Sequence, residues 1–189
     1  MIKNTENVLV AEKNNISDRT KDIKMNERIR KSFGTTYINE GNSLQYDEEK
    51  PYVLDQTRRF FLFDIVPISA PRMTQSDRWR TNPEHPDINK RQRPVVTKYF
   101  AYKNLLTLQA KQLGYEVKPV LDILFIMPMP NSWSGKKKER MNGLPCKVKP
   151  DTDNLLKAIK DTFCKNDSHI WRETAEKRWG YKGSIIIFE

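Results

Sequence analysis

Asp151 and Asp153 stand one residue apart in "KPDTDNLLKAIKDTF", which runs from Lys149 to Phe163, directly behind a proline. Capping a helix needs one carboxylate, and here there are two. Carboxylates held this close repel one another, and a bound cation relieves the conflict. Lys157 and Asp161 follow at one-turn intervals, and Asp167 lies in "KNDSHI" just beyond Cys164. Such oxygen donors suit a hard cation like Mg2+, which takes one or two carboxylates and fills its octahedron with waters or phosphate oxygens. The chemistry open to this set is metal-assisted attack on a phosphate. The same residues also have ordinary uses. Acids at a helix start satisfy free N–H groups and the dipole, at about 0.3–1 kcal/mol each. Asp153 and Lys157 have the spacing of a surface ion pair, and Asp167 can shape a turn with Asn166. Spacing alone leaves both readings open.

These residues need a helix to hold them. Pro150 biases Lys149 toward extended structure, so Asp151 or Thr152 is the expected N-cap of a helix reaching about Cys164. Leu155, Leu156, Ile159 and Phe163 form its apolar stripe, while Asp153, Lys157 and Asp161 share another face. Asn154 either orients a carboxylate or caps the first turn. Asp167 reaches the pair only if the next strand lies beside the helix and the turn folds back.

The other elements follow from periodicity and breakers. Phe60 to Val66 reads as a strand closed by Pro67 and Pro71, and "RMTQSDRWRTNPEHPDINKRQRP" as a long basic loop. "VTKYFAYKNLLTLQAKQLG" reads as a helix with Phe100, Leu105, Leu106, Leu108 and Ala110 apolar, ended by Gly114. "PVLDILFIMPMP" reads as a buried strand, and "NSWSGKKKERMNG" holds a short helix capped by Ser134. "SHIWRETAEKRW" and "GSIIIFE" read as the last two strands. This order predicts an α+β two-layer sandwich, a mixed sheet of about four strands with two main helices. Residues 1–57 are polar, with a short helix expected around Thr20 to Phe33. They read as a flexible extension ahead of a folded domain at 58–189.

Charge points to a partner. The chain carries a formal net charge of +10, and residues 1–57 are close to neutral, so the excess falls in the folded part. A basic domain attracts polyanions, and the absence of a basic amphipathic helix with a Trp/Leu face favours nucleic acid over lipid. Lys136, Lys137, Lys138, Arg140, Lys147 and Lys149 lead straight into the aspartate pair. Arg72, Arg78 and Arg80 flank Trp79, a set that could touch phosphates and stack on a base. Either run also reads as solvated charge. His169 reads as structural, and Trp171 and Trp179 as core or dimer interface. Cys146 and Cys164 form no metal-ligand spacing and read as reduced thiols. With no long apolar run and no secretory signal, the expected compartment is the cytoplasm, without a membrane.

The run "KPDTDNLLKAIKDTF…KNDSHI" closely resembles the signature of the RusA family of Holliday junction resolvases. That signature is an acid–x–acid–Asn segment, a lysine one turn on, an acid a turn later, and an acidic turn before a strand. The resemblance extends over roughly residues 60–189, with the motif confined to 149–169. It implies that Asp151, Asp153 and Asp167 are the essential carboxylates and metal ligands, and Lys157 the essential lysine. The family's turn commonly carries two adjacent acids, whereas Asn166 takes the first position here. The resemblance further implies Mg2+ as cofactor and a homodimer that binds four-way DNA junctions and nicks two strands symmetrically. The alternative is a non-catalytic protein that binds DNA structure, with the acids only structural. A sugar-nucleotide transferase using a DxD pair would need a nucleotide-binding domain for which too little chain precedes the motif.

Overall fold

The computed structural model describes residues 38–39, 54–55, 58–81, 84 and 92–189. The helix expected around Thr20 to Phe33 lies outside the described residues. Two short strands, β1 (Ile38–Asn39) and β2 (Leu54–Asp55), pair in parallel. The remaining strands are β3 (Phe60–Phe63), β4 (Val120–Pro128), β5 (Arg172–Gly180) and β6 (Ser184–Phe188). They form one sheet in the order β3-β6-β4-β5. Strand β6 runs antiparallel to β3 and β4, while β4 and β5 are parallel. The sheet is therefore mixed, and the fold is α+β as the pattern of elements predicts.

The parallel pair dictates where the site residues go. Joining β4 to β5 needs a crossover, because no short turn connects parallel strands. The crossover contains α3 (Gly135–Met141) and α4 (Thr152–Phe163). Helix α4 therefore starts near the end of β5 and finishes near its beginning. Helices α1 (Gln75–Thr81) and α2 (Pro94–Leu113) lie between β3 and β4 in the chain.

The core lies between α2, α4 and one sheet face. Leu121, Ile123, Phe125, Ile185 and Ile187 supply the sheet side, and Leu155, Leu156, Ala158 and Ile159 the α4 side. Alternate residues Leu124, Ile126, Ile186 and Phe188 make a smaller cluster on the other face. Burial on both faces explains why β4 reads as an almost continuous apolar run, interrupted only by Asp122.

Three expectations are corrected. The segment after Pro71 contains a helix, α1, so it is not all loop. Thr74 and Asp77 build its start: the Thr74 amide and hydroxyl donate to the Asp77 carboxylate at 2.9 and 2.7 Å. The buried stripe of α2 is Val96, Tyr99, Tyr102, Leu106 and Ala110, while Leu105 and Leu108 are exposed. Tyr99 and Tyr102 take the buried positions because tyrosine rings bury readily and only the hydroxyl seeks a partner. Gly114 caps α2 in the left-handed region at φ 67°, as expected. Trp179 is core, but Trp171 is 71% exposed and so is not a core residue.

Candidate metal and nucleic-acid site

Asp151 is the N-cap of α4, with extended backbone at φ −69° and ψ 149°. Its carbonyl accepts the first helical bond, from the Leu155 amide at 3.2 Å, but its side chain caps nothing. Asp153 lies in the first turn, and both residues are exposed. Among the described residues, no hydrogen bond or ion pair engages either carboxylate. This is where the ordinary capping explanation fails. A capping aspartate accepts from the helix amides, and Asp151 does not.

Lys157 sits one turn further and pairs with Asp161 at 3.2 Å rather than with Asp153, which corrects that part of the spacing argument. Asp161 also accepts from the Tyr99 hydroxyl at 3.2 Å, across from α2. Burial, then the Asp161 charge, pushes the Tyr99 phenol well above its usual range, so it remains a donor. Lys157 is thus steered by an acid that is itself fixed from the neighbouring helix.

Asp167 occupies the far end of α4. Twelve residues at about 1.5 Å rise make the helix roughly 18 Å long. Asp167 follows its C-terminus and lies 3.8 Å from Lys160 in the last turn. Lys160 also bonds Glu173 on β5 at 2.9 Å, the main cause of its raised pKa. Asn166 shapes the turn by accepting from the Ser168 amide at 3.0 Å. His169 sits with its ring Nδ1 3.0 Å from the Asn166 carbonyl, a local structural contact. The fold therefore brings Asp151 and Asp153 together and leaves Asp167 apart. Among the described residues, no cluster of three or more His, Cys, Asp or Glu could hold a metal.

The donor set at the pair still fits a hard cation. Two exposed, unengaged carboxylates leave most of an octahedral shell to water or phosphate, which is the usual Mg2+ arrangement.

A cleft of about 530 Å³ opens beside Asp151, lined by Lys147, Lys149, Thr152, Glu176 and Lys177 among others. Lys147 and Lys149 are exposed at its mouth. Its wall is the segment 143–150, laid along β5. Gly143 donates to the Trp179 carbonyl at 2.9 Å, Trp179 to Leu144 at 2.9 Å, and Cys146 to Lys177 at 2.8 Å. Cys146 is buried, which raises its thiol pKa, and both cysteines are free. Upstream, α3 begins where Ser134 accepts from the Lys137 amide at 3.3 Å and buries nothing. Its Lys136, Lys138 and Arg140 therefore lie on a surface helix, while the Lys137 ammonium rests 4.2 Å from the centre of the Trp133 ring.

The arginine segment reaches the same region. Ala70 donates to the Asn154 carbonyl at 3.1 Å, so Arg72 lies two residues from a contact with the first turn of α4. Arg78 and Arg80 lie in the last turn of α1. Helix α1 is held by Asp77, only 1% exposed, which takes the Arg93 guanidinium in a close ion pair. Arg93 also donates to the Arg72 carbonyl at 3.0 Å. Tyr99, Asp77, Arg93 and Lys177 were not singled out in the sequence. Each is an ordinary residue of a helix, loop or strand until the fold shows what it touches.

The sequence model of the family described as Endodeoxyribonuclease RusA matches residues 70–188. The match covers more than half of the chain and contains the whole site, so the chain belongs to the RusA family. Membership makes it an endodeoxyribonuclease of the junction-resolving type. Comparison with curated proteins and with solved structures gives no match. Among the described residues, no helix is long and apolar enough to cross a membrane.

Proposed function

We propose that this protein is a Mg2+-dependent endonuclease that resolves four-way DNA junctions, with Asp151 and Asp153 as its metal-binding pair. One observation carries the reading: two exposed carboxylates, unengaged by any donor among the described residues, at the edge of a lysine-lined cleft. A bound divalent cation would activate water and offset the charge of the attacked phosphate. The chain's own residues do the rest. Lys147, Lys149, Lys136, Lys137, Lys138 and Arg140, with Arg72, Arg78 and Arg80, hold the DNA backbone around the pair. Lys157, held by Asp161, neutralises charge developing on the phosphate or positions the water.

Asp167 is the third carboxylate of this reading, and its distance from the pair bears on assembly. In a two-fold dimer with the α4 helices antiparallel, the partner subunit's Asp167 would approach the pair of the first subunit. A junction is itself two-fold, so such a dimer would present two equivalent sites for paired symmetric nicks.

Asp151→Asn and Asp153→Asn test the pair directly. Each change keeps size while removing metal-binding charge. Both variants should lose cutting while junction binding, measured by gel shift, survives or tightens. Near-wild-type cutting by either would remove the pair from the mechanism and favour the alternative of a DNA-structure-binding protein.

A further inference from the structure

Segment 147–150 has to deliver Asp151 to the site, and its anchoring changes character along its length. As far as Cys146 the segment is fastened to β5 by main-chain bonds. Beyond Cys146 a side chain of β5 joins the fastening. Lys177 Nζ, reaching from β5, donates to the carbonyls of Val148 and Pro150, each at 2.5 Å. Those carbonyls bracket Lys149 and end one residue before Asp151. Among the described residues, no carboxylate lies within ion-pair distance of Lys177, so its cation is satisfied by these two carbonyl dipoles.

Asp151 depends on that backbone more than a capping residue would. Its side chain makes no cap bond, so its direction follows from where the main chain leaves Pro150. The helix side is fixed by Leu155 donating to Asp151 and by Ala70 donating to Asn154. The approach side is fixed by Lys177.

We infer that Lys177 is a positioning residue for the metal-binding pair, clamping the Val148 and Pro150 carbonyls so that the Asp151 carboxylate points to the cation. The inference rests on the metal-site reading above. Groups that orient a metal ligand typically contribute about 10–100-fold to metal affinity, although they never touch the ion. Lys177 fits that role, reaching the segment from β5 with both carbonyls in hydrogen-bond distance.

The experiment is calorimetric titration of Mn2+ into the DNA-free full-length chain, for wild type, Lys177→Met, Lys177→Arg, Asp151→Asn and the double variant Lys177→Met/Asp151→Asn. Lys177→Met should weaken Mn2+ binding by about 10-fold or more. Lys177→Arg keeps a cationic donor and should retain most of the affinity. In the Asp151→Asn background, Lys177→Met should cause no further loss, because the two act through one group. Circular dichroism reports whether each variant is folded. If Lys177→Met does not fold, Lys177→Gln replaces it, and the same loss is expected. Wild-type affinity in folded Lys177→Met, or in Lys177→Gln where it replaces that variant, would overturn the clamp while leaving the metal site intact. A full additional loss in the double variant would also overturn it, and so would unchanged affinity with a junction-binding salt slope lower by about 0.9, which marks a phosphate contact. Absence of Mn2+ binding by the wild type would overturn the clamp together with the metal-site reading.

Discussion

Asp161 illustrates how a side chain can look solvated in sequence and be constrained in the fold. It holds Lys157 at 3.2 Å while taking the Tyr99 hydroxyl at the same distance. Lys157 is 61% exposed, so the pair contributes at most a few tenths of a kcal/mol to stability. On the proposed mechanism, its value is in aiming the ammonium. Asp161→Asn should therefore leave the thermal midpoint within about 2 °C of wild type and lower the single-turnover nicking rate roughly tenfold, or about 1.4 kcal/mol. Tyr99→Phe should act in the same direction and less strongly. A normal nicking rate in Asp161→Asn would show that Lys157 needs no support. The motif residues stand out in the sequence because their types and spacing are unusual together. Asp167 was legible as an acid but not in its position, since nothing local in "KNDSHI" says that a short turn at the end of α4 keeps it beside Lys160.

Helix α1 shows what the sequence could not say about elements. "SDRWR" has few apolar residues and proline on either side, so no period announces a helix. The helix exists because Asp77 is buried and fully occupied, by Thr74 on one side and Arg93, sixteen residues on, on the other. Strands β4 and β6 were readable for the opposite reason, as largely apolar runs, Ile123 to Met127 in β4 and Ile185 to Phe188 in β6. The Arg93 bond, followed by the Thr74 amide, holds the Asp77 carboxyl well below its ordinary value of 3.8. The sign follows: a depressed folded pKa adds stability above the unfolded value, and that stability is lost as pH falls below about 4 toward the folded value. Asp77→Asn should lower the denaturation midpoint at pH 7 and flatten the acid limb of a stability–pH curve between about pH 4 and pH 2. An acid limb identical to wild type would mean that Asp77 is not the linked group. Because Arg93 also holds the Arg72 carbonyl, junction affinity should fall in the same variant.

Across the molecule, the described residues join a basic cleft, an acidic pair and a third acid at the far end of α4. The dimer reading has a specific consequence for mixed dimers of Asp151→Asn and Asp167→Asn chains. If each site takes Asp167 from the partner subunit, one of the two sites is fully wild type, and the mixture should nick one strand per junction. If each site is built within one chain, both are broken and the mixture should be inactive. The claim beneath these is that the chain cuts branched DNA with a divalent cation. It is tested most directly by incubating the purified protein with an end-labelled synthetic four-way junction and a linear duplex of the same sequence, with Mg2+ and with chelator. Paired, symmetric nicks in the junction alone, and only with Mg2+, are the predicted result. Junction binding without nicks in Mg2+, or equal cutting of the linear duplex, would contradict it.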